Sequence, residues 1–291
     1  MKRIAFFANS RGNPHGLETM LSAAYFLSSG MNEIRYFVSW DADDIATGEA
    51  IKRLEGYGMK IESIAGKRPV TLGELSNNMA RHVVERMPDV DAFCGLTDRV
   101  IPLTQYWDEF LAQGLSSKDD GIFWWNMPGE NGGVQLTMPI ITAKWYKAAG
   151  SIFTEYFPFW FDDTWLRELD TLVHGLSHRV IPITVGGPRK EPTKRLRDLR
   201  FWMDFFIAKF PERVAHAEQI AKNLGINRVH DEKVIQEFNN RNKEWDQKWQ
   251  SWEIIFGGNN KNTLPDETYL IAKKRAEESL KTTLALHNEN T

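Results

Sequence analysis

Residues 3–14, RIAFFANSRGNP, contain the clearest signal of the fold class, because a short apolar run leads directly into a polar loop rich in turn-forming residues. Apolar side chains then recur at helical spacing at Leu17, Met20, Leu21 and Ala24. A strand, a polar loop and a helix in this order form the repeating unit of a parallel α/β sheet. This first stretch therefore predicts an α/β fold.

The same unit recurs along the first half of the chain. Apolar runs at residues 34–40, 59–64 and 92–96 predict three further strands, with helical patterns between them. Each strand ends in polar or charged residues, at positions 10–11, 41–44, 66–68 and 97–98. Because the carboxyl ends of parallel strands meet at one edge of a sheet, these four loops are expected to converge on one ligand crevice.

The second half of the chain changes character. Residues 139–150 predict a short strand and a helix, and residues 180–185 predict the last strand. Beyond residue 196 every periodic segment is helical, so we predict a domain over residues 1–195 and a helical C-terminal extension over 196–291. Trp245, Trp249 and Trp252 fall on one helix face, which indicates either helix packing or contact between copies of the chain.

Composition excludes several classes of protein. The chain has 291 residues, of which 42% are hydrophobic and 26% charged, a balance typical of a folded globular protein. A net charge of -3 provides no overall basic field for nucleic acid. The lone cysteine, Cys94, excludes an internal disulfide framework, and no apolar run is long enough to span a membrane. We therefore predict a cytoplasmic protein with no membrane insertion.

Three acidic positions are candidates for chemistry, and each has a plainer alternative. The cluster at residues 41–44 (DADD) would bind a cation or a nucleotide, or else form a solvated turn that caps a helix. Asp98, directly after a strand, would bind a hard cation or cap a helix. Asp162 and Asp163 would supply a general base, or complement the dipole of the helix that follows.

Taken together, these segments resemble a family-2-like glycosyltransferase of the glycosyltransferase-A fold, of the type common in bacteriophage genomes. Residues 10–14 (SRGNP) are similar to the T-R-G-R-P opening of such enzymes, and residues 41–44 to their nucleoside loop. Asn77 resembles the asparagine of the helix before the metal-binding strand, and residues 95–102 (GLTDRVIP) resemble the D-x-D segment. Residues 139–166 resemble the acceptor-side segment that ends in an acidic pair.

The resemblance implies a mixed central sheet flanked by helices and an inverting transfer of a hexose from a nucleotide-sugar, such as UDP-glucose, to an acceptor hydroxyl. Asp163 matches the general base, with Asp162 beside it, and Asp98 matches the acid that binds Mn²⁺ or Mg²⁺. The implied acceptor is a hydroxymethylated pyrimidine in phage DNA, and the implied compartment is the host cytoplasm. The implied donor-binding residues are Ser10, Arg11, Asp41, Asp43, Lys67, Asn77 and Thr97.

Two positions differ from the family pattern, and other functions stay open. Leu96 stands where the first acid of D-x-D is expected, and Gly186 and Gly187 follow the last strand in place of a metal-binding histidine. The main alternative is a non-catalytic nucleotide-sugar-binding or assembly protein, and a polysaccharide or a protein is an alternative acceptor. A sugar-1-phosphate nucleotidyltransferase ranks last, because its glycine-rich opening is missing from residues 8–14. The C-terminal helices are the expected surface for a homo-oligomer.

Overall fold

A computed structural model describes residues 1–10, 12–67, 69–128, 134–158, 161–175, 177–187, 198–227, 232–256 and 267–289. The described backbone divides into two compact units. Unit 1 comprises Met1–Arg68, Leu75–Ile152 and His178–Pro188, and unit 2 comprises Pro69–Glu74, Phe153–Ser177 and Arg189–Thr291. None of the helices in the described ranges is long and apolar enough to cross a membrane.

Unit 1 is built on one mixed sheet whose strand order is β3-β2-β1-β4-β8-β6-β9-β5, with β7 paired to β6. The neighbours from β3 to β4 are all parallel, whereas β8 runs antiparallel to both β4 and β6. The strands are β1 (Arg3–Ser10), β2 (Glu33–Asp41), β3 (Ile61–Gly66), β4 (Ala92–Thr97), β5 (Ile101–Pro102), β6 (Ile122–Pro128), β7 (Val134–Gln135), β8 (Pro139–Thr142) and β9 (Arg179–Gly186).

Ten helices are present in the described part of the chain. They are α1 (Pro14–Phe26), α2 (Ile45–Gly56), α3 (Leu72–Arg86), α4 (Trp107–Ser117), α5 (Ala143–Ala149), α6 (Asp162–His174), α7 (Leu199–Ala208), α8 (Phe210–Leu224), α9 (Glu232–Phe256) and α10 (Glu267–Glu289). Local sequence sets where the first of them begins, since Asn13 caps α1 by accepting from the Gly16 N–H and Pro14 occupies its first turn.

The core of unit 1 explains why β1 is apolar at nearly every position. Ile4, Phe6 and Ala8 on one face belong to a buried cluster that includes Leu17 of α1. The intervening residues on the opposite face, including Phe7, are buried as well. A parallel strand covered on both faces requires such a continuous apolar run. This covered position in the middle of the sheet leaves only the ends of β1 for polar side chains.

Unit 2 has an aromatic core of its own. The Phe157 ring lies 5.5–6.1 Å, centroid to centroid, from the rings of Phe161, Trp165, Trp202, Phe205 and Phe206. The Trp245 ring of α9 packs 5.7 Å from that of Phe206. This contact supports helix packing as the role of at least part of the tryptophan stripe. The Trp252 side chain lies outside the described part of the chain.

A buried ion pair crosses the same core. Arg213 donates to Glu168 at 2.5 Å, and neither side chain is more than 1% exposed. The guanidinium also lies 3.8 Å from the centre of the Phe206 ring, a cation–π arrangement. Burial lowers the pKa of Arg213 to about 10, against the opposing effect of Glu168. The pair joins α6 to α8 within unit 2.

The predicted α/β class is confirmed: the protein has a mixed central sheet flanked by helices and further helices towards its C-terminus. The first four predicted strands correspond to β1–β4, and residues 139–150 form β8 and α5 as expected. The predicted last strand corresponds to β9. The domain boundary at residue 195 lies outside the described residues and stays a prediction.

Candidate functional site

Asp98 follows β4 directly and lies beside the end of β1. The Ser10 hydroxyl donates a hydrogen bond of 2.9 Å to Oδ2 of Asp98, and the two residues are only 5% and 9% exposed. The pairing of β1 with β4, which reaches Asn9 and Thr97, brings these residues together although they are far apart in the chain. A carboxylate is therefore held at the carboxyl edge of the parallel strands, where ligands bind in open α/β sheets.

The acidic loop after β2 divides into a structural and an accessible part. Asp44 caps α2, because its carboxylate accepts hydrogen bonds from the Thr47 N–H at 3.2 Å and from the Thr47 hydroxyl at 2.6 Å. The Gly12 N–H donates to the same carboxylate at 2.6 Å. Asp41 is half-buried at the end of β2, whereas Asp43 is exposed. The helix-capping alternative thus holds for Asp44, and Asp41 and Asp43 remain candidates for a ligand.

Asn9 is a candidate donor-site residue that was not predicted from the sequence. It lies beside Thr97, which was predicted. The two residues are register partners at the ends of β1 and β4. Oδ1 of Asn9 and Oγ1 of Thr97 are buried atoms with no hydrogen-bond partner among the residues that the structure describes. Unpaired buried oxygens are costly, and these two lie at the edge where ligands bind in open α/β sheets. The position of Asn9, at the end of an apolar strand, was the available signal.

The remaining predicted donor-binding residues have different surroundings. Asn77 is buried on α3, and its side-chain oxygen accepts a hydrogen bond of 2.9 Å from the Ile152 N–H. Lys67 is exposed directly after β3. Arg11 and Arg68 lie outside the described residues. Asn77 thus serves the packing of unit 1, and a role in donor binding stays a prediction for Arg11, Lys67 and Asn77.

Asp162 and Asp163 begin α6 in unit 2, after Phe161 in the left-handed conformation with φ of 75°. Asp162 is 5% exposed, and neither of its carboxyl oxygens has a hydrogen-bond partner in the described ranges. Burial, followed by the charge of Asp163, raises the pKa of Asp162 well above its ordinary value. A carboxyl group in these surroundings is stabilised in its neutral form.

Asp163 differs from its neighbour in access and in partners. Its side chain is half-buried, and its Oδ1 accepts a hydrogen bond of 2.8 Å from the Thr164 N–H. Burial raises the pKa of Asp163, while the charge of Arg167 and the bonds from Thr164 oppose that rise. A carboxylate that is reachable, and whose pKa is raised, suits a general base.

The described residues contain no group of three or more histidine, cysteine or acidic side chains that could hold a metal ion by themselves. Asp98 nevertheless fits a divalent cation as a single protein carboxylate, because Mg²⁺ is commonly bound by one or two carboxylates with phosphate oxygens and water. The chemistry of this edge therefore suits a cation that arrives together with a diphosphate.

Comparison with solved structures identifies two similar folds. TarS of S. aureus in complex with UDP-GlcNAc aligns with a TM-score of 0.52 at 13% identity, over 76% of this chain and 70% of that one. The mannosyltransferase PcManGT of Pyrobaculum calidifontis in complex with GDP-Man and Mn²⁺ aligns with a TM-score of 0.51 at 12% identity, over 94% of this chain and 86% of that one. No protein-family description and no curated protein matches the sequence. The chain has the glycosyltransferase-A-like fold that its sequence motifs imply.

Proposed function

We propose that this protein is a nucleotide-sugar-dependent glycosyltransferase. The observation that carries the proposal is the set of polar groups at the carboxyl edge of β1, β2 and β4, formed by Asn9, Ser10, Asp41, Thr97 and Asp98. Two proteins of similar fold are described in complex with a nucleotide-sugar. The unpaired oxygens of Asn9 and Thr97 belong to the same set of polar groups.

The donor-site roles follow from the chemistry of each group. Asp41 would accept hydrogen bonds from the nucleoside, with Asp43 beside it. Asp98 would hold the divalent cation, which, when bound, would neutralise charge on the diphosphate. Lys67, with Arg11 and Arg68, would supply further positive charge at the leaving group. We propose a UDP-hexose such as UDP-glucose as the donor.

We propose a single displacement with inversion at the anomeric carbon. The acceptor oxygen forms the new bond to this carbon while the bond to the diphosphate oxygen breaks, and the nucleoside diphosphate leaves with that electron pair. Asp163 takes the proton of the acceptor hydroxyl. Of the two adjacent acids, Asp163 is the more exposed, which favours it over Asp162 for direct contact with an acceptor.

The acceptor is the more specific part of the proposal. We propose a hydroxymethylated pyrimidine of phage DNA, with the enzyme acting in the host cytoplasm. The sequence of residues 189–200 (RKEPTKRLRDLR) supports this choice, since basic side chains neutralise backbone phosphates. A polysaccharide or protein hydroxyl is the alternative, and self-association through the C-terminal helices is a separate expectation.

The test combines donors and acceptors in one transfer assay. The protein is incubated with Mn²⁺ and UDP-glucose, UDP-GlcNAc or GDP-mannose, together with DNA that contains hydroxymethylcytosine or hydroxymethyluracil. Mass spectrometry should show the added sugar on modified DNA and none on matched unmodified DNA. Donor hydrolysis without transfer would retain the enzyme and reject the DNA acceptor. Donor binding without hydrolysis or transfer would favour the non-catalytic alternative.

A further inference from the structure

A buried hydroxyl group holds the carboxylate of Asp98 in place. Ser10 Oγ donates to Asp98 Oδ2 at 2.9 Å, and both side chains are almost fully excluded from solvent. A hydrogen bond from a buried donor limits the rotation of a carboxylate and fixes the directions of its lone pairs. The Ser10 hydroxyl is thus directed at an acid and not at open solvent.

The backbone of Asp98 is held by the start of α1. The side-chain amide of Asn13 donates to the Asp98 carbonyl oxygen at 2.9 Å, while its Oδ1 accepts from the Gly16 N–H at 3.2 Å. Gly16 permits this approach, because a Cβ at that position would lie only 2.2 Å from the same carbonyl oxygen. Asn13 therefore caps α1 and fixes the turn after β4 at the same time.

A second glycine allows the end of β9 to approach the same turn. A Cβ on Gly187 would lie 1.9 Å from the carbonyl oxygen of Arg99, which directly follows Asp98. The turn that carries Asp98 is therefore approached closely by both the start of α1 and the residue that follows β9.

A site with one protein carboxylate depends strongly on how that carboxylate is oriented. Leu96 stands where a D-x-D segment would have its first acid, so residues 96–98 supply only one carboxylate for a cation. Groups that hydrogen-bond to a metal ligand commonly change metal affinity by about 10–100-fold when they are removed. The hydroxyl and amide that hold Asp98 occupy the place of such supporting groups.

We propose that Ser10 and Asn13 are positioning residues that orient Asp98 for binding a divalent cation with a nucleoside diphosphate. In this role Ser10 does not contact the nucleotide directly. The proposal rests on the proposed function. Ser10 acts on the carboxylate and Asn13 on the carbonyl of the same residue.

Binding of Mn²⁺, followed by electron paramagnetic resonance of the free ion, tests this proposal without any turnover. The full chain is titrated with Mn²⁺ in the presence of UDP and, separately, of GDP. Ser10→Ala should weaken Mn²⁺ binding about tenfold or more, whereas Ser10→Thr, which keeps a hydroxyl, should restore most of the affinity. Asn13→Ser keeps a capping oxygen for α1 but loses the amide donor, and it should also weaken Mn²⁺ binding.

The chain offers a control in a second serine–carboxylate bond, in which Ser29 is half-buried and Asp108 is buried. Ser29 Oγ donates to Asp108 Oδ2 at 2.7 Å, away from the end of β4. Ser29→Ala should lower the melting temperature in the manner of Ser10→Ala but leave Mn²⁺ affinity unchanged. If Ser10→Ala does not fold, Asn13→Ser and Ser10→Thr carry the comparison.

The outcomes separate this proposal from the proposed function. Equal Mn²⁺ affinity in folded Ser10→Ala, Asn13→Ser and unchanged protein would overturn the positioning role and leave the glycosyltransferase intact. Binding of UDP or GDP by a protein that takes up no Mn²⁺ in that complex would also overturn it, in favour of a metal-independent enzyme. If the unchanged protein binds neither nucleotide, the proposed function fails and the positioning role fails with it.

Discussion

Two neighbouring carboxyl groups at the start of α6 have unequal surroundings, and this inequality predicts unequal roles. Asp163→Asn keeps the shape of the side chain but removes its basicity, so turnover should fall by about 10²–10⁴-fold while donor affinity stays nearly unchanged. Asp162→Asn should cost less, since Asp162 is buried and would act through its neighbour. Single-turnover rates and donor affinities for both variants at one pH check this prediction. If Asp162→Asn lost the chemistry and Asp163→Asn kept it, the two roles would be exchanged.

The buried Asp162 also predicts a pH-dependent gain in stability on its removal. Its pKa is raised in the folded protein by burial and by Asp163, whereas an unfolded aspartate has a pKa of about 3.9. Near and below pH 4 the side chain is largely protonated in both states, so ionisation contributes little to the stability difference. As the pH rises, the unfolded chain ionises first, so the free energy of unfolding falls. Asp162→Asn should therefore raise the melting temperature near pH 7 and change it little near pH 4.

The control for that experiment is Glu237→Gln, which replaces an exposed acid on α9. It should leave the melting temperature nearly the same at both pH values. If Asp162→Asn raised the melting temperature equally at pH 4 and pH 7, ionisation of the buried carboxyl group would not be the cause of the destabilisation.

Asp41 is assigned to the nucleoside end of the donor, which makes a specific prediction. Asp41→Ala should weaken binding of free UDP or GDP by the same factor as binding of the complete nucleotide-sugar, because the lost contact is common to both. Calorimetric titrations measure the two affinities, with Glu55→Ala on the exposed face of α2 as the control. A loss confined to the sugar-bearing donor would place Asp41 elsewhere in the site.

At the level of elements, the start of α2 depends on Asp44. The carboxylate accepts from the Thr47 N–H and hydroxyl and from the Gly12 N–H, so Asp44→Ala leaves three donors without this partner. The free energy of unfolding should fall by about 1 kcal/mol, the typical cost of losing an N-cap. Urea unfolding measures the change, and Glu55→Ala again provides the control. An unchanged midpoint would mean that solvent replaces the cap at no cost.

Local patterns identified the main strands because apolar runs and turn residues are properties of adjacent positions. The run at residues 3–8 predicted β1, and the structure extends that strand to Ser10 through its pairing with β2 and β4. The order of β8, β6 and β9 in the sheet was not predictable, since it depends on pairings between distant segments. The short β5 exists only through its pairing with β9.

In the candidate site, too, contacts between distant residues could not be predicted from the sequence. The position of Asp98 after an apolar strand marked it as a candidate, and the structure adds a partner, Ser10, 88 positions earlier. The family resemblance assigned Ser10 to the nucleotide, because a sequence cannot show which long-range partner a hydroxyl has. Asp44 illustrates the opposite case, since helix capping involves near neighbours and was among the interpretations of the sequence.

At the scale of the whole molecule, the proposed donor residues belong to unit 1 and the proposed acidic pair belongs to unit 2. Donor binding and proton transfer are therefore separate properties that separate variants test. Variants of Asp41 and Asp98 should change donor affinity, whereas variants of Asp163 should change turnover. Donor binding is tested first, because transfer cannot occur unless the donor is bound.

The most direct measurement of the central claim is a calorimetric titration of the full chain with UDP-glucose, UDP-GlcNAc and GDP-mannose in the presence of Mn²⁺, repeated with Asp98→Ala. We expect saturable binding of at least one of these donors and clearly weaker binding by a folded Asp98→Ala variant. Absence of binding for all three donors, or equal binding by Asp98→Ala with Mn²⁺ present, would contradict a donor site at the end of β4.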